Sequence, residues 1–187
     1  DVYKRQVEDC PEVDPAKNVH ARRYREMCGV LRWIEQCTRP DISATLSELC
    51  KVQINRGEVH VKALHHLMKY INGTKSCGIV YGREENTHAD GHIVGYVDSD
   101  WSGDPDIPYS RGGYVFMSNQ SPVSWASYKM KAVAASSAES EYMSMSMATR
   151  EAVWWRALYS DLGYGDLSAT TYGDMCDKDY RKVRLSR

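Results

Sequence analysis

No C-x-x-C pair occurs among the six cysteines, Cys10, Cys28, Cys37, Cys50, Cys77 and Cys176, which argues against a structural zinc site. Their scatter reads as reduced thiols of an intracellular protein. No apolar run reaches the roughly 18–20 residues that cross a bilayer, so no membrane partner is expected. A signal-peptide core is also missing. So is the basic excess of a free-standing nucleic-acid binder: 24 Lys and Arg stand against 25 Asp and Glu, for a formal net charge of -1. Contact with nucleic acid then has to come from local basic patches and bound metal. No internal repeat or low-complexity tract breaks up the chain. The opening Asp1–Gln6 has no Met, resembles a translated sequencing-adapter scar and is set aside.

What remains is ordinary globular composition. The 187 residues are 42% hydrophobic and 26% charged, enough for one or two domains with real cores. Up to about His20 the chain is polar, with Pro11 and Pro15, and is expected to lack a core of its own. From Ala21 to Cys37 the residues Tyr24, Met27, Cys28, Leu31 and Ile34 recur at helical spacing. Pro40 ends that helix, and Asp41 is placed to cap the next, which carries Ile42, Thr45, Leu46 and Leu49. A third helix is predicted from Glu58 to Ile71, striped by Ala63, Leu64, Leu67, Met68 and Ile71, with Gly73 as its cap. Cys77–Tyr81 reads as a short strand.

The polar stretch Gly82–Gly91 is the best domain boundary, because the hydrophobic period changes after it from helical to alternating. Strands are predicted at Ile93–Val97, Gly113–Met117 and Pro122–Ala126, the last two joined by a turn at Asn119-Gln120. A turn-rich loop covers Asp98–Ser110. A long helix follows, about Ser137–Leu162, then a fourth strand at Thr170–Gly173. This β-β-β-α-β order predicts an α/β fold, three antiparallel strands and a further strand in a mixed sheet with a helix across one face.

Three carboxylates stand out by position. Asp98 ends the first strand, Glu141 lies in the first turns of the long helix, and Asp174 ends the fourth strand. An apolar stripe through Met145, Ala148, Ala152, Trp155, Leu158 and Leu162 runs back four residues to Glu141. Glu139, roughly 200° away around the helix, should face solvent. Two readings of Glu141 stand: a carboxylate whose burial a cation or protonation offsets, or a wet residue at a helix end favoured by the dipole. Three converging oxygen ligands suit Mg²⁺ or Mn²⁺, and two such ions about 4 Å apart would serve phosphodiester hydrolysis.

Several segments resemble one family in the right order. Gly95-Tyr96-Val97-Asp98-Ser99-Asp100-Trp101-Ser102-Gly103-Asp104 is similar to the first active-site strand of copia-type retrotransposon ribonuclease H domains. Gly113-Tyr114-Val115-Phe116, Pro122-Val123-Ser124-Trp125 and Ser136-Ser137-Ala138-Glu139-Ser140-Glu141-Tyr142-Met143 match further motifs. Upstream, Tyr24, Thr38-Arg39-Pro40-Asp41-Ile42 and Lys69-Tyr70-Ile71-Asn72-Gly73-Thr74 resemble the tail of the preceding reverse transcriptase. Residues 1–20 are expected to be a disordered or artefactual leader, and the resemblance, which covers about Tyr24 to Asp174, implies a helical reverse transcriptase connection at 21–82 and a ribonuclease H-like domain at 90–187, incomplete at its C-terminus. It implies cleavage of the RNA strand of an RNA–DNA hybrid, with Asp98, Glu141 and Asp174 as catalytic metal ligands and Asp100 as a further candidate. The implied partners are the hybrid and the rest of a Pol polyprotein, reverse transcriptase and integrase, in a cytoplasmic virus-like particle or the nucleus.

Departures accompany the match. Ile107-Pro108-Tyr109 stands where the family has a polar, arginine-containing stretch, with only Arg111 basic. Tyr172-Gly173-Asp174-Met175-Cys176 replaces an aromatic followed by Cys-Asp-Asn. A last strand, last helix and fourth acidic ligand would lie beyond Asp174, and the charged Asp177–Arg187 shows no family match. No polymerase motif is visible. A catalytically inactive remnant, and a helical interaction module in Ala21–Ile71, are the competing readings.

Other candidates read blandly. His60, His65 and His66 are expected to be solvated or hydrogen-bonded. Ser136-Ser137 reads as a helix cap. Trp155 reads as core, with Trp154 a candidate base-stacking platform. Arg111, Lys129 and Lys131, and the run Arg22, Arg23 and Arg25, are candidate phosphate contacts.

Overall fold

The computed structural model describes residues 21–54, 56–81, 93–102, 108–164, 169–174 and 180–184; for the last two segments the description is of the backbone. The expected leader at 1–20 and the boundary at 82–91 lie outside the described residues. The chain divides into two compact units, Asp1–Ile79 and Val80–Arg187.

The first unit is helical. Helices α1 (Ala21–Thr38), α2 (Ser43–Lys51) and α3 (Glu58–Gly73) form it, with a 3₁₀ turn at Pro40–Ile42. Proline cannot continue α1, and it opens the turn at a position where its missing N–H costs nothing. One core joins Tyr24, Cys28 and Leu31 of α1 to Ile42, Leu46 and Leu49 and to Ala63, Leu64 and Leu67 of α3. Leu46 and Leu64 are fully covered, each contributing about 1.5–3 kcal/mol of apolar burial.

Two expectations in this unit need correction. Asp41 makes no cap: Ile42 occupies that position. The Asp41 carboxylate instead accepts from Arg39 at 2.9 and 2.7 Å and from the Tyr70 hydroxyl at 2.9 Å. Arg39 is buried, and a buried cation needs a paired anion more than a helix end needs a cap. Arg39 also donates to the Thr74 carbonyl and hydroxyl at 3.1 and 2.8 Å. Gly73 lies inside α3, and Thr74 caps it. His60 is buried, and its Nδ1 accepts from the Gly57 N–H at 2.8 Å, while His65 and His66 are exposed. These histidines are structural or solvated, as read.

The second unit is built on a sheet. Strands β1 (Ile93–Asp100), β2 (Arg111–Ser118), β3 (Ser121–Lys129), β4 (Ala169–Asp174) and β5 (Tyr180–Arg184) lie in the order β3-β2-β1-β4-β5. The first three form an antiparallel meander, β4 runs parallel to β1, and β5 returns antiparallel to β4. The two-residue turn between β2 and β3 holds Asn119 at φ 47° and Gln120 at φ 64°. Two successive left-handed residues match the twist of a tight hairpin. No strand forms at 77–81; Val80 and Tyr81 are instead tied to the start of β3, where Ser121 Oγ donates to the Val80 carbonyl at 2.7 Å and the Tyr81 hydroxyl donates to the Pro122 carbonyl at 2.9 Å. The strand β5 falls in a tail where none was expected.

Helix α4 (Ser137–Asp161) crosses one face of this sheet. Ser136 caps it, its Oγ accepting from the Glu139 N–H at 3.2 Å, while Glu139 accepts from the Ala135 N–H at 2.6 Å. Glu139 thus reaches one residue beyond the cap, so the S-x-x-E pair holds the helix start without closing a reciprocal capping box. The predicted stripe holds at Ala148, Ala152 and Trp155 and departs at its two ends. The inward row is Ser140, Ser144, Ala148 and Ala152, and Leu162 is exposed. Small residues at every fourth position let the helix lie close to the strands. Its core partners are Ile93, Val97 and Phe116. Phe116 is fully buried and fills the space over Gly95.

Candidate functional site

The meander register sorts the strand residues onto two faces. Ile93 and Val97 of β1 are buried under α4, and Ser99 follows on that side. Gly112 pairs with Ser99 on one side and with Tyr128 on the other. A Cβ at Gly112 would collide with Ser144 Oγ and the Tyr128 phenol, so only glycine lets α4 close down at this end. Burial raises the Tyr128 hydroxyl pKa there. Asp98 and Asp100 alternate with these residues and are exposed.

A serine pair ties the start of α4 to the carboxyl end of β1: Ser99 Oγ and Ser140 Oγ lie 2.9 Å apart. Ser140 already donates its proton to the Ser137 carbonyl at 2.7 Å, so Ser99 donates to Ser140. Asp98 and Glu141 are the chain neighbours of these two serines. Asp98 Oδ1 accepts from the Ser99 N–H at 2.8 Å. Glu141 is partly buried, at the flank of the inward row rather than its centre. Glu139 is exposed, as its place on the helix required.

The parallel pairing supplies the third acid. Val97 pairs with Gly173, the last pair between β1 and β4. Asp98 and Asp174 are each the next residue on neighbouring parallel strands, which run about 4.8 Å apart; β1 continues through Asp98 to Asp100, where a loop beginning at Asp98 was expected. The side chain of Asp174 lies outside the description. Among the described residues, no group of three or more His, Cys, Asp and Glu is placed to hold a metal ion. The oxygen-only donor set of Asp98, Glu141 and Asp174 suits a hard divalent cation.

The basic candidates divide. Asp100 pairs with Arg111, and Arg111 with Lys129, so the three form a row across β1, β2 and β3 at the Asp98 end of the sheet. Lys129 Nζ stands 4.1 Å over the Tyr109 ring. Lys131 is exposed two residues beyond β3. Arg22 pairs with Glu26 on the solvent side of α1, an ordinary i,i+4 surface pair, and Arg23 and Arg25 are exposed beside it. Trp155 packs against the core and Trp154 is half exposed, their rings edge to face at 4.9 Å.

Sequence reasoning missed Ser99, Ser140 and Trp101. The Trp101 Nε1 donates to the Ala134 carbonyl at 3.0 Å, tying the end of β1 to the segment before α4. The signal for Ser140 was present in the spacing of Ser140, Ser144, Ala148 and Ala152. It is hidden from an apolar-stripe search because serine does not count as apolar.

A five-stranded mixed sheet in the order 3-2-1-4-5, with a helix across one face, defines an α/β protein of the ribonuclease H-like class. No protein-family model matches the chain. It is 36% identical over 140 residues to the retrovirus-related Pol polyprotein from transposon RE1 of Arabidopsis thaliana, covering 75% of this chain and 9% of that one. It is 30% identical over 166 residues to the Pol polyprotein from transposon TNT 1-94 of Nicotiana tabacum, covering 88% of this chain and 12% of that one. It is 37% identical over 131 residues to the secreted RxLR effector protein 161 of Plasmopara viticola, covering 70% of this chain and 89% of the effector. Its homologues include the retrovirus-related Pol polyproteins of copia-type transposons. It spans about a tenth of the polyproteins it matches. No helix among the described residues is long and apolar enough to cross a membrane.

Proposed function

We propose that the Val80–Arg187 unit hydrolyses the RNA strand of RNA–DNA hybrids, with Asp98, Glu141 and Asp174 holding Mg²⁺ or Mn²⁺. The observation that supports this reading is the register of β1 and β4, whose last pair, Val97 with Gly173, immediately precedes Asp98 and Asp174. The Ser99–Ser140 contact supports it by bringing the first turns of α4, and so Glu141, to the same end. A divalent ion bound there would lower the pKa of an attacking water and stabilise the leaving 3′-oxygen. The acids themselves would orient that ion, with Asp100 at the margin of the set. Arg111, Lys129 and Lys131 would meet backbone phosphates, and the hybrid would be recognised by shape and 2′-hydroxyls rather than base sequence. Other segments of a Pol polyprotein, reverse transcriptase and integrase, would be its covalent or assembled partners, in a cytoplasmic particle or the nucleus.

The test is a hybrid-cleavage assay on the full chain with Mg²⁺ and with Mn²⁺. Cleavage that Asp98→Asn removes, with an unchanged thermal melt, is the expected result. Well-folded protein that leaves the hybrid intact with either ion overturns it. That outcome would favour a non-catalytic module.

A further inference from the structure

Cys28 of α1 and Cys50 of α2 meet in the helical unit, far in sequence from the acidic residues. Cys28 is buried in the core, and Cys50 is partly buried and packs against that core. The helices are pinned at this point by the Tyr24 hydroxyl, which donates to the Leu49 carbonyl at 2.9 Å. Tyr24 stands one turn before Cys28, and Leu49 immediately precedes Cys50. Each thiol stands near enough to shift the other's titration, and both are free.

We propose that Cys28 and Cys50 are a redox pair, closing to a disulfide that locks α1 to α2 when the protein meets a hydroperoxide. The partly buried Cys50 is the side that a small oxidant reaches. Its pKa is lowered, first by the hydrogen bond from Cys28, then by Gln53 and the charge of Arg32, against the opposing effects of burial and Glu35. The Cys28 thiol is held protonated by that same bond and by burial. A thiolate is the reactive form of cysteine, so the pair has a nucleophile and a resolving partner already in contact.

The chemistry balances in two steps. The Cys50 thiolate attacks one peroxide oxygen, the O–O bond breaks, and the departing hydroxide (or alkoxide) takes a proton, leaving a sulfenic acid. The Cys28 sulfur then attacks the Cys50 sulfur, the S–O bond breaks, and the leaving hydroxide takes the Cys28 proton as water. Two thiols lose two electrons and two protons, and the peroxide gains both.

The experiment treats the intact, native chain with sub-stoichiometric to equimolar hydrogen peroxide, blocks remaining thiols by alkylation, and maps peptides by mass spectrometry. The exposed Cys37 and Cys77 serve as internal references. A Cys28–Cys50 cross-linked peptide, appearing before Cys37 or Cys77 is oxidised and reversed by dithiothreitol, is the expected result. Cys28→Ser should abolish it and leave Cys50 as a sulfenic acid that dimedone traps. Recovery of Cys28 and Cys50 reduced while Cys37 and Cys77 are oxidised would overturn the proposal, as would the two joining other cysteines instead. The wild-type map decides the matter even if Cys28→Ser fails to fold.

Discussion

The Ser99 hydroxyl donates to the Ser140 hydroxyl at 2.9 Å, joining the end of a strand to the first turn of a helix. The direction of that bond has a measurable consequence. Ser140→Ala removes an acceptor and leaves the Ser99 proton without its partner, whereas Ser99→Ala leaves Ser140 still bonded to Ser137. Ser140→Ala should therefore cost more, about 1–2 kcal/mol against about 0.5–1 kcal/mol. Urea denaturation of both variants checks the order. Equal losses would contradict the assigned direction.

Glu139 and Glu141 should separate cleanly. Glu139 holds the helix start through the Ala135 N–H, so Glu139→Gln should weaken the fold by about 1 kcal/mol or less and spare hybrid cleavage. Glu141→Gln should reduce cleavage by more than about 100-fold, beyond the roughly 10–100-fold typical of a group one step removed from a metal. Parallel melts and cleavage rates distinguish them, and equal rates for the two variants would remove Glu141 from the site.

Gly95 has no room for a methyl group. A Cβ there would lie 2.5 Å from Cε1 of the fully buried Phe116. Gly95→Ala should destabilise the sheet unit by about 1–3 kcal/mol through overpacking. Phe116→Leu in the same chain should recover part of that loss, because it opens the space the new methyl needs. Thermal denaturation of the single and double variants measures the coupling.

The Arg39–Asp41 pair should give the helical unit an acid limb. The Arg39 guanidinium holds the Asp41 pKa below its usual value, with the Tyr70 hydroxyl assisting. A carboxylate depressed in the folded state adds stability that is fully present above its unfolded pKa, about 3.9, and disappears as pH falls through the folded value. Stability should therefore decline below about pH 4, and Asp41→Asn should flatten that decline. Near neutral pH the same substitution should cost about 1 kcal/mol, since the carboxylate is partly exposed. Stability measured as a function of pH in wild type and variant tests both the sign and the window.

Much of the architecture was legible in the residues because its elements carry strong periodicity. Tyr24, Cys28 and Leu31 announced α1, and the alternation in Ile93–Val97 announced β1. What escaped was decided by partners distant in sequence. Asp41 reads as a cap locally, yet Arg39 and Tyr70 claim its carboxylate. Cys77–Tyr81 has strand composition, but composition cannot supply a neighbouring strand to pair with. The stripe on α4 was read correctly at Ala148 and Ala152 but wrongly at its start, because close packing on a sheet selects small Ser140 and Ser144 over larger Met145. Of the candidate site, Asp98 and Asp174 were placed at strand ends by pattern alone. Their adjacency depended on which strands pair, and β4 joins β1 across a long helix.

The last strand of the sheet, Tyr180–Arg184, has three basic residues among its five, Arg181, Lys182 and Arg184. It forms the outer margin beyond β4, where unpaired backbone would otherwise invite a strand from another molecule. Like charge on two such margins disfavours their meeting in low salt, and screening at high ionic strength removes that protection.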